Sequence, residues 1–179
     1  MSSSIKFIRP DAYEALQKAF ESANLRPVIT QTQGDAAQSS GFHAGDGEYT
    51  LNGAQHSYCA AVDLSVNQSA RRLSDGATIR MDKPHIKWVL FNLAQNGYVG
   101  WYRYQPIWDS KHIHIIGAMV PMKRVLQDQV IDFLNNRTGL SGHGPESFWT
   151  ADDYLDAQIA EIFKASNPDA IDRLPLRLR

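Results

Sequence analysis

Four side chains in this sequence have the chemistry to hold a metal ion or to work beside one: His56, Asp63, His112 and His114. Zinc accepts imidazole nitrogen and carboxylate oxygen, usually in a tetrahedral set, and a catalytic site keeps one position open for water. His112 and His114 stand two apart in Lys111-His112-Ile113-His114-Ile115-Ile116. In a strand, alternation turns both imidazoles to one face. Two buried imidazoles are costly without polar partners. One can bind a metal while the other handles a proton, and periodicity alone does not assign those roles. His56 and Asp63 lie seven positions apart, too far for one helical turn. They converge only if a strand entrance folds back towards the strand interior.

The elements that position these residues follow from local pattern. Asp63 falls in Tyr58–Ser65, where Tyr58, Ala60, Val62 and Leu64 alternate with Cys59, Ala61, Asp63 and Ser65. The second set is small apart from Asp63, which leaves room around the carboxylate. Residues 99–104 and 112–119 read as two strands joined by a turn containing Pro106, Asp109 and Ser110. Pro10 opens a helix over 10–24, followed by a strand over 25–32. Residues 33–56 are rich in Gly, Ser, Gln, Asp and Asn and predict a long loop or a pair of turns. Asp82, Pro84 and Gly97 bracket a helix with the apolar stripe Ile86, Val89, Leu90, Leu93 and Ala94. Pro121 opens a third helix that buries Val125, Leu126, Val130, Phe133 and Leu134. Thr150 and Asp153 resemble a capping box for a last helix with the stripe Tyr154, Leu155, Ile159, Ile162 and Phe163. The tail after Pro168 has no pattern.

Composition narrows the function classes. With 179 residues and 43% apolar content, the chain fits one domain with a sizeable core. Lys and Arg total 18 against 19 for Asp and Glu, and no basic stripe appears, which argues against a nucleic-acid partner. One cysteine, Cys59, precludes an internal disulfide and a thiolate cluster. Its small neighbours fit a buried, inert thiol better than a nucleophile. The glycine-rich stretch lacks the Lys-Ser/Thr ending of a phosphate loop. No apolar run approaches the ~20 residues that span a bilayer, and residues 1–10 lack a secretory pattern. The expectation is a chain that is cytoplasmic as synthesised, with a lysis system or a virion as a route outward.

Ala54-Gln55-His56-Ser57-Tyr58-Cys59-Ala60-Ala61-Val62-Asp63, followed downstream by His112-Ile113-His114, resembles the zinc D-Ala-D-Ala carboxypeptidase and murein endopeptidase family, whose wider fold includes the hedgehog signalling domain. That family's pattern is Ser-x-His-x-x-Gly-x-Ala-x-Asp, then a His-x-His or Glu-x-x-His element. The resemblance covers roughly residues 27–117. It implies His56, Asp63 and His114 as zinc ligands and His112 as a catalytic or transition-state-stabilising group. It also implies hydrolysis of a peptide bond in peptidoglycan or a related peptide containing a D-amino acid. Ala54 and Cys59 stand where the family has Ser and Gly, and Thr32-Gln33-Gly34-Asp35 lacks the family's upstream arginine. Arg71, Arg80 and Arg103 are candidates to replace it. His43, Asp46 and Glu48 are candidate proton acceptors.

The fold expected is α+β: a small, mainly antiparallel sheet with packed helices, like the hedgehog and DD-peptidase domain. It forms a single metallopeptidase-like domain over 1–179, with 121–179 as a helical C-terminal extension. Trp101, Tyr102, Tyr104 and Trp108 are divided between core and an aromatic cleft wall. His143 and His85 read as a loop histidine and a helix-start histidine. The rival function is a non-catalytic, metal-stabilised binding or structural protein of a phage particle or cell envelope. A dipeptidase-like enzyme is the third.

Overall fold

A computed structural model describes residues 7–32, 42–43, 45–67, 70–104, 111–140 and 144–179, with the backbone alone at 70–71. The fold is mixed α+β. Its centre is a four-stranded antiparallel sheet in the order β2 (Ile29–Gln31), β5 (Ala61–Ser65), β9 (His112–Gly117), β8 (Tyr98–Arg103).

The sheet's two faces follow from strand alternation. On one face lie Val62, Leu64, Ile113 and Ile115, all buried. Here α2 (Lys83–Gln95) packs, carrying the buried residues Ile86, Val89, Leu90, Leu93 and Ala94 expected of it. Asp82 caps that helix by accepting from the backbone N–H of His85 at 2.9 Å. The helix α1 (Pro10–Glu21) joins the same layer, where its Ala12 carbonyl accepts from the Tyr98 hydroxyl at 2.7 Å.

The opposite face carries two cross-strand rows. Gln31, Asp63, His114 and Trp101 are successive register partners across all four strands. Ser65, His112 and Arg103 form the next row. Over this face lie α3 (Arg124–Phe133) and the segment after it. Three successive carbonyls of that segment are held by side chains of β8 and α3. Trp101 Nε1 donates to Arg137 O at 2.9 Å, Arg103 Nη1 to Thr138 O at 2.7 Å, and Gln129 Nε2 to Gly139 O at 2.9 Å. Gly139 has φ +67°, and a Cβ there would stand 2.7 Å from the Trp101 ring, so the close approach requires glycine.

Several local expectations change. The expected strand over 25–32 is two, β1 (Leu25–Arg26) and β2, which pair in different sheets. Pro27 between them has no N–H for a continuous ladder. β1 pairs β6 (Ala70–Arg72), which pairs β7 (Thr78–Ile79). The expected loop through residue 56 contains a hairpin, β3 (Gly47–Leu51) and β4 (Ala54–Tyr58). Its turn is Asn52-Gly53, both at positive φ, as a two-residue primed turn requires.

In α3, Val125 is exposed while Gln127 and Gln129 are buried. Each glutamine has hydrogen-bond partners that offset the cost of burial. The last helix, α4 (Asp153–Ser166), is capped by Asp152, not Thr150, and Tyr154 is exposed. The patternless tail forms two 3-10 helices, Pro168–Arg173 and Leu176–Leu178, which bury Ala170 and Leu178. Among the described residues, no helix is long and apolar enough to cross a membrane.

Candidate metal centre

Asp63 sits at the centre of the site because β5 is a central strand. Its register partner on β9 is His114. His114 Nδ1 lies 2.7 Å from Asp63 Oδ1, and His43 Nε2 lies 3.4 Å from Asp63 Oδ2. Ligand atoms of His43, Asp63 and His114 all fall within 4.8 Å of one another. Both imidazoles are buried and the carboxylate nearly so. Trp101 lies against the His114 ring, with centroids 6.1 Å apart.

Each imidazole is flanked by two acceptors. His43 Nδ1 lies 2.7 Å from the carbonyl oxygen of Thr32. A carbonyl only accepts, so Nδ1 carries a proton. Nε2, the other ring nitrogen, faces Asp63. His114 Nε2 lies 3.3 Å from Gln129 Oε1. That amide is oriented by its other end, where Nε2 donates to Gly139 O. Gln129 therefore offers His114 an acceptor, as Asp63 does on the ring's other side. Burial pushes the His114 pKa down more than the nearby Asp63 pulls it up, and a neutral ring has one proton for two acceptors.

Burial would raise the Asp63 carboxyl, but hydrogen bonds and proximity to His114 and His43 outweigh it and hold the group far below the usual carboxylate range. An ionised carboxylate thus faces two imidazole nitrogens, and the far nitrogen of each ring has an acceptor of its own. A divalent cation among these three groups would take the two facing nitrogens and the carboxylate as donors while the far N–H of each ring keeps its acceptor. The donor set, two imidazoles and one carboxylate, suits zinc.

The sequence-derived residues are distributed unevenly. Asp63 and His114 come together as expected. His112 is beside them, with Nε2 3.9 Å from Asp63 Oδ1 and its side chain 16% exposed. His56 does not join the group. It lies on β4 opposite Tyr49 and stacks on that ring at 5.4 Å. The third member is His43, which the sequence reading placed in a polar loop. The hairpin explains the difference: Asp46 N–H donates to Tyr58 O at 2.8 Å, so the chain leaves and re-enters the site at one point.

Other candidates have structural roles. Asp46 has a fully buried side chain, and its carboxylate accepts from Ala60 N–H at 2.8 Å and Lys123 N–H at 3.1 Å. It ties β5 to the start of α3 and is not poised as a base. Glu48 is exposed on the hairpin. Burial pushes the Cys59 thiol up to about 12, which rules out a ready thiolate nucleophile. His85 contacts Asp82 at the exposed start of α2.

Arg103 is buried on the site face, with its guanidinium over Trp101 at 5.0 Å. Burial lowers its pKa to about 10, against the opposing pull of Glu146 and Asp63. Arg80 lies near Tyr102, away from this row. Trp101 belongs to the core, whereas Tyr102 and Tyr104 stack at 5.1 Å with Phe148 beside them. Trp108, His143 and the Arg71 side chain lie outside the described residues.

Gln129 had no signal in the linear pattern except a polar residue on the inner face of a predicted helix. A cleft of about 740 Å³ opens beside it, lined by Phe42, Asp128, Asp132, Arg137 and Leu140 among others. No protein-family model, curated protein or solved structure matches the chain.

Proposed function

We propose that this protein is a zinc-dependent peptidase, hydrolysing a peptide bond in peptidoglycan or a related peptide containing a D-amino acid, on a hedgehog/DD-peptidase-like fold. The observation that carries the metal reading is Asp63 facing two imidazole nitrogens whose rings each have a second acceptor. The substrate class rests on the sequence resemblance.

His43 is compatible with that resemblance. If residues 46–58 are set aside as an inserted hairpin, His43-Ala44-Gly45 runs into Cys59-Ala60-Ala61-Val62-Asp63. The result keeps the His-x-x-x-x-Ala-x-Asp order of the family pattern, with Cys59 at the glycine position. His56 meets the same spacing only along the uninterrupted chain.

His43, Asp63 and His114 hold the ion. Zinc, when bound, supplies Lewis acidity towards a scissile carbonyl and lowers the pKa of a water. The protein does the rest. His112, partly exposed beside the donor set, accepts or returns a proton at the reacting amide. Trp101 and the strap over residues 137–139 cover the side of His114 turned away from Asp63. The cleft along α3 is lined in part by Phe42 and Gln129, which adjoin His43 in sequence and His114 in space.

Metal analysis of the purified protein beside a muropeptide cleavage assay tests the proposal. Stoichiometric zinc with turnover supports it. Zinc without turnover favours the metal-stabilised phage or envelope protein. Absence of zinc binding by the correctly folded chain rejects both.

A further inference from the structure

Gln129 lies on α3, outside the stretch that resembles the peptidase family, yet it is the residue that approaches His114 from the side opposite Asp63. It is 4% exposed. Its two ends are used differently: Nε2 donates to Gly139 O at 2.9 Å, and Oε1 faces His114 Nε2 at 3.3 Å. Turning the amide over would set its oxygen against the Gly139 carbonyl, two acceptors at hydrogen-bond distance. The strap therefore orients Gln129, and Gln129 offers His114 an acceptor only.

We propose that Gln129 is a positioning residue that selects Nδ1 of His114 as the cation's donor atom by accepting the proton on Nε2. The inference rests on the metal-site reading above. An imidazole that binds a metal through one nitrogen donates from the other, and that outer partner sets ring orientation and basicity. For His43 the partner is a backbone carbonyl, Thr32 O, which no substitution removes. For His114 it is a side chain from a separate helix. The helical C-terminal region is thereby joined to the site through one amide.

Two variants separate this role from simple support of the strap. Gln129→Met fills similar volume but accepts nothing of comparable strength and cannot donate to Gly139. Gln129→Glu keeps an acceptor for His114 while giving up the donor to Gly139. The full-length protein is titrated with zinc against a competing chelator, and ¹¹³Cd–¹⁵N coupling in histidine-labelled protein reports the ligating nitrogen. The expected result is coupling at His114 Nδ1 in the wild type, zinc affinity roughly 10- to 100-fold weaker in Gln129→Met, and most of that loss restored in Gln129→Glu.

Coupling at His114 Nε2, unchanged affinity in Gln129→Met, or equal loss in both variants overturns the assignment while leaving the metal site intact. A folded wild type that binds neither zinc nor cadmium overturns the metal-site reading and this one together.

Discussion

His43 Nδ1 lies 2.7 Å from the carbonyl oxygen of Thr32, and that contact turns its Nε2 towards Asp63. The carbonyl is part of the backbone leaving β2, the strand paired with Asp63's own strand. The histidine is thus oriented by the sheet that carries the carboxylate, although it lies outside every strand.

His43 and His56 make opposite predictions. His43→Ala removes a donor and weakens zinc affinity by roughly 100-fold or more, beyond the range for an outer partner. His56→Ala removes a ring stacked on Tyr49 and leaves affinity within a few-fold of the wild type. Chelator-competition titration of both variants measures this directly. Zinc loss in His56→Ala alone would restore the ligand set suggested by linear spacing.

His112→Gln separates binding from chemistry. The side chain is near Asp63 but outside the close group of three. Zinc content is expected to stay stoichiometric while muropeptide turnover falls roughly 100- to 10,000-fold, the range for loss of a general acid or base. Equal turnover in variant and wild type would remove His112 from the reaction.

Gly139→Ala tests the strap. A Cβ at φ +67°, 2.7 Å from the Trp101 ring, forces the segment away from the sheet. The expected cost is about 1–3 kcal/mol, seen as a fall in Tm of roughly 3–10 °C. Calorimetry of the metal-free protein reads it without any contribution from zinc.

Asp156 gives the stability a pH dependence unrelated to the metal site. Burial raises its carboxyl to about 6 despite the opposing charge of Arg177, with Asp153 and Asp152 adding to the rise. The folded-state value lies above the ordinary 3.8, so folding favours the protonated form. Its contribution is fully present below about pH 4 and declines as the pH rises through about 6. Asp156→Asn should therefore gain stability relative to wild type across that interval, by on the order of 1 kcal/mol because solvent at the half-exposed Arg177 screens the ion pair. Urea unfolding at pH 4 and pH 7 checks the sign; a relative gain at pH 4 instead of pH 7 contradicts it.

Much of the scaffold was legible because its signals are local. The stripe from Ile86 to Ala94 and the Asp82 cap repeat with helical period, and both occur where expected. Alternation placed His112 and His114 on one face of β9, and the pairing of β9 with β5 set Asp63 beside them. The Asn52-Gly53 hairpin was equally local and was missed because the surrounding polar composition masked a clear turn dipeptide. Gln129 was not legible: a buried glutamine breaks an apolar stripe, and only its partners reveal why that is tolerated.

Sequence by itself determined the mixed α+β class, the central strands and the shared face of His112 and His114, since side-chain direction in a strand depends only on position along it; that Asp63 meets them depends on the pairing of β5 with β9. Tertiary structure decided that His43 approaches Asp63 while His56 turns to Tyr49, and that α3 supplies the partner of His114. Those choices depend on which distant segments meet. A hairpin that closes on itself brings Asp46 and Tyr58 together, so separation along the chain ceases to measure distance at the site.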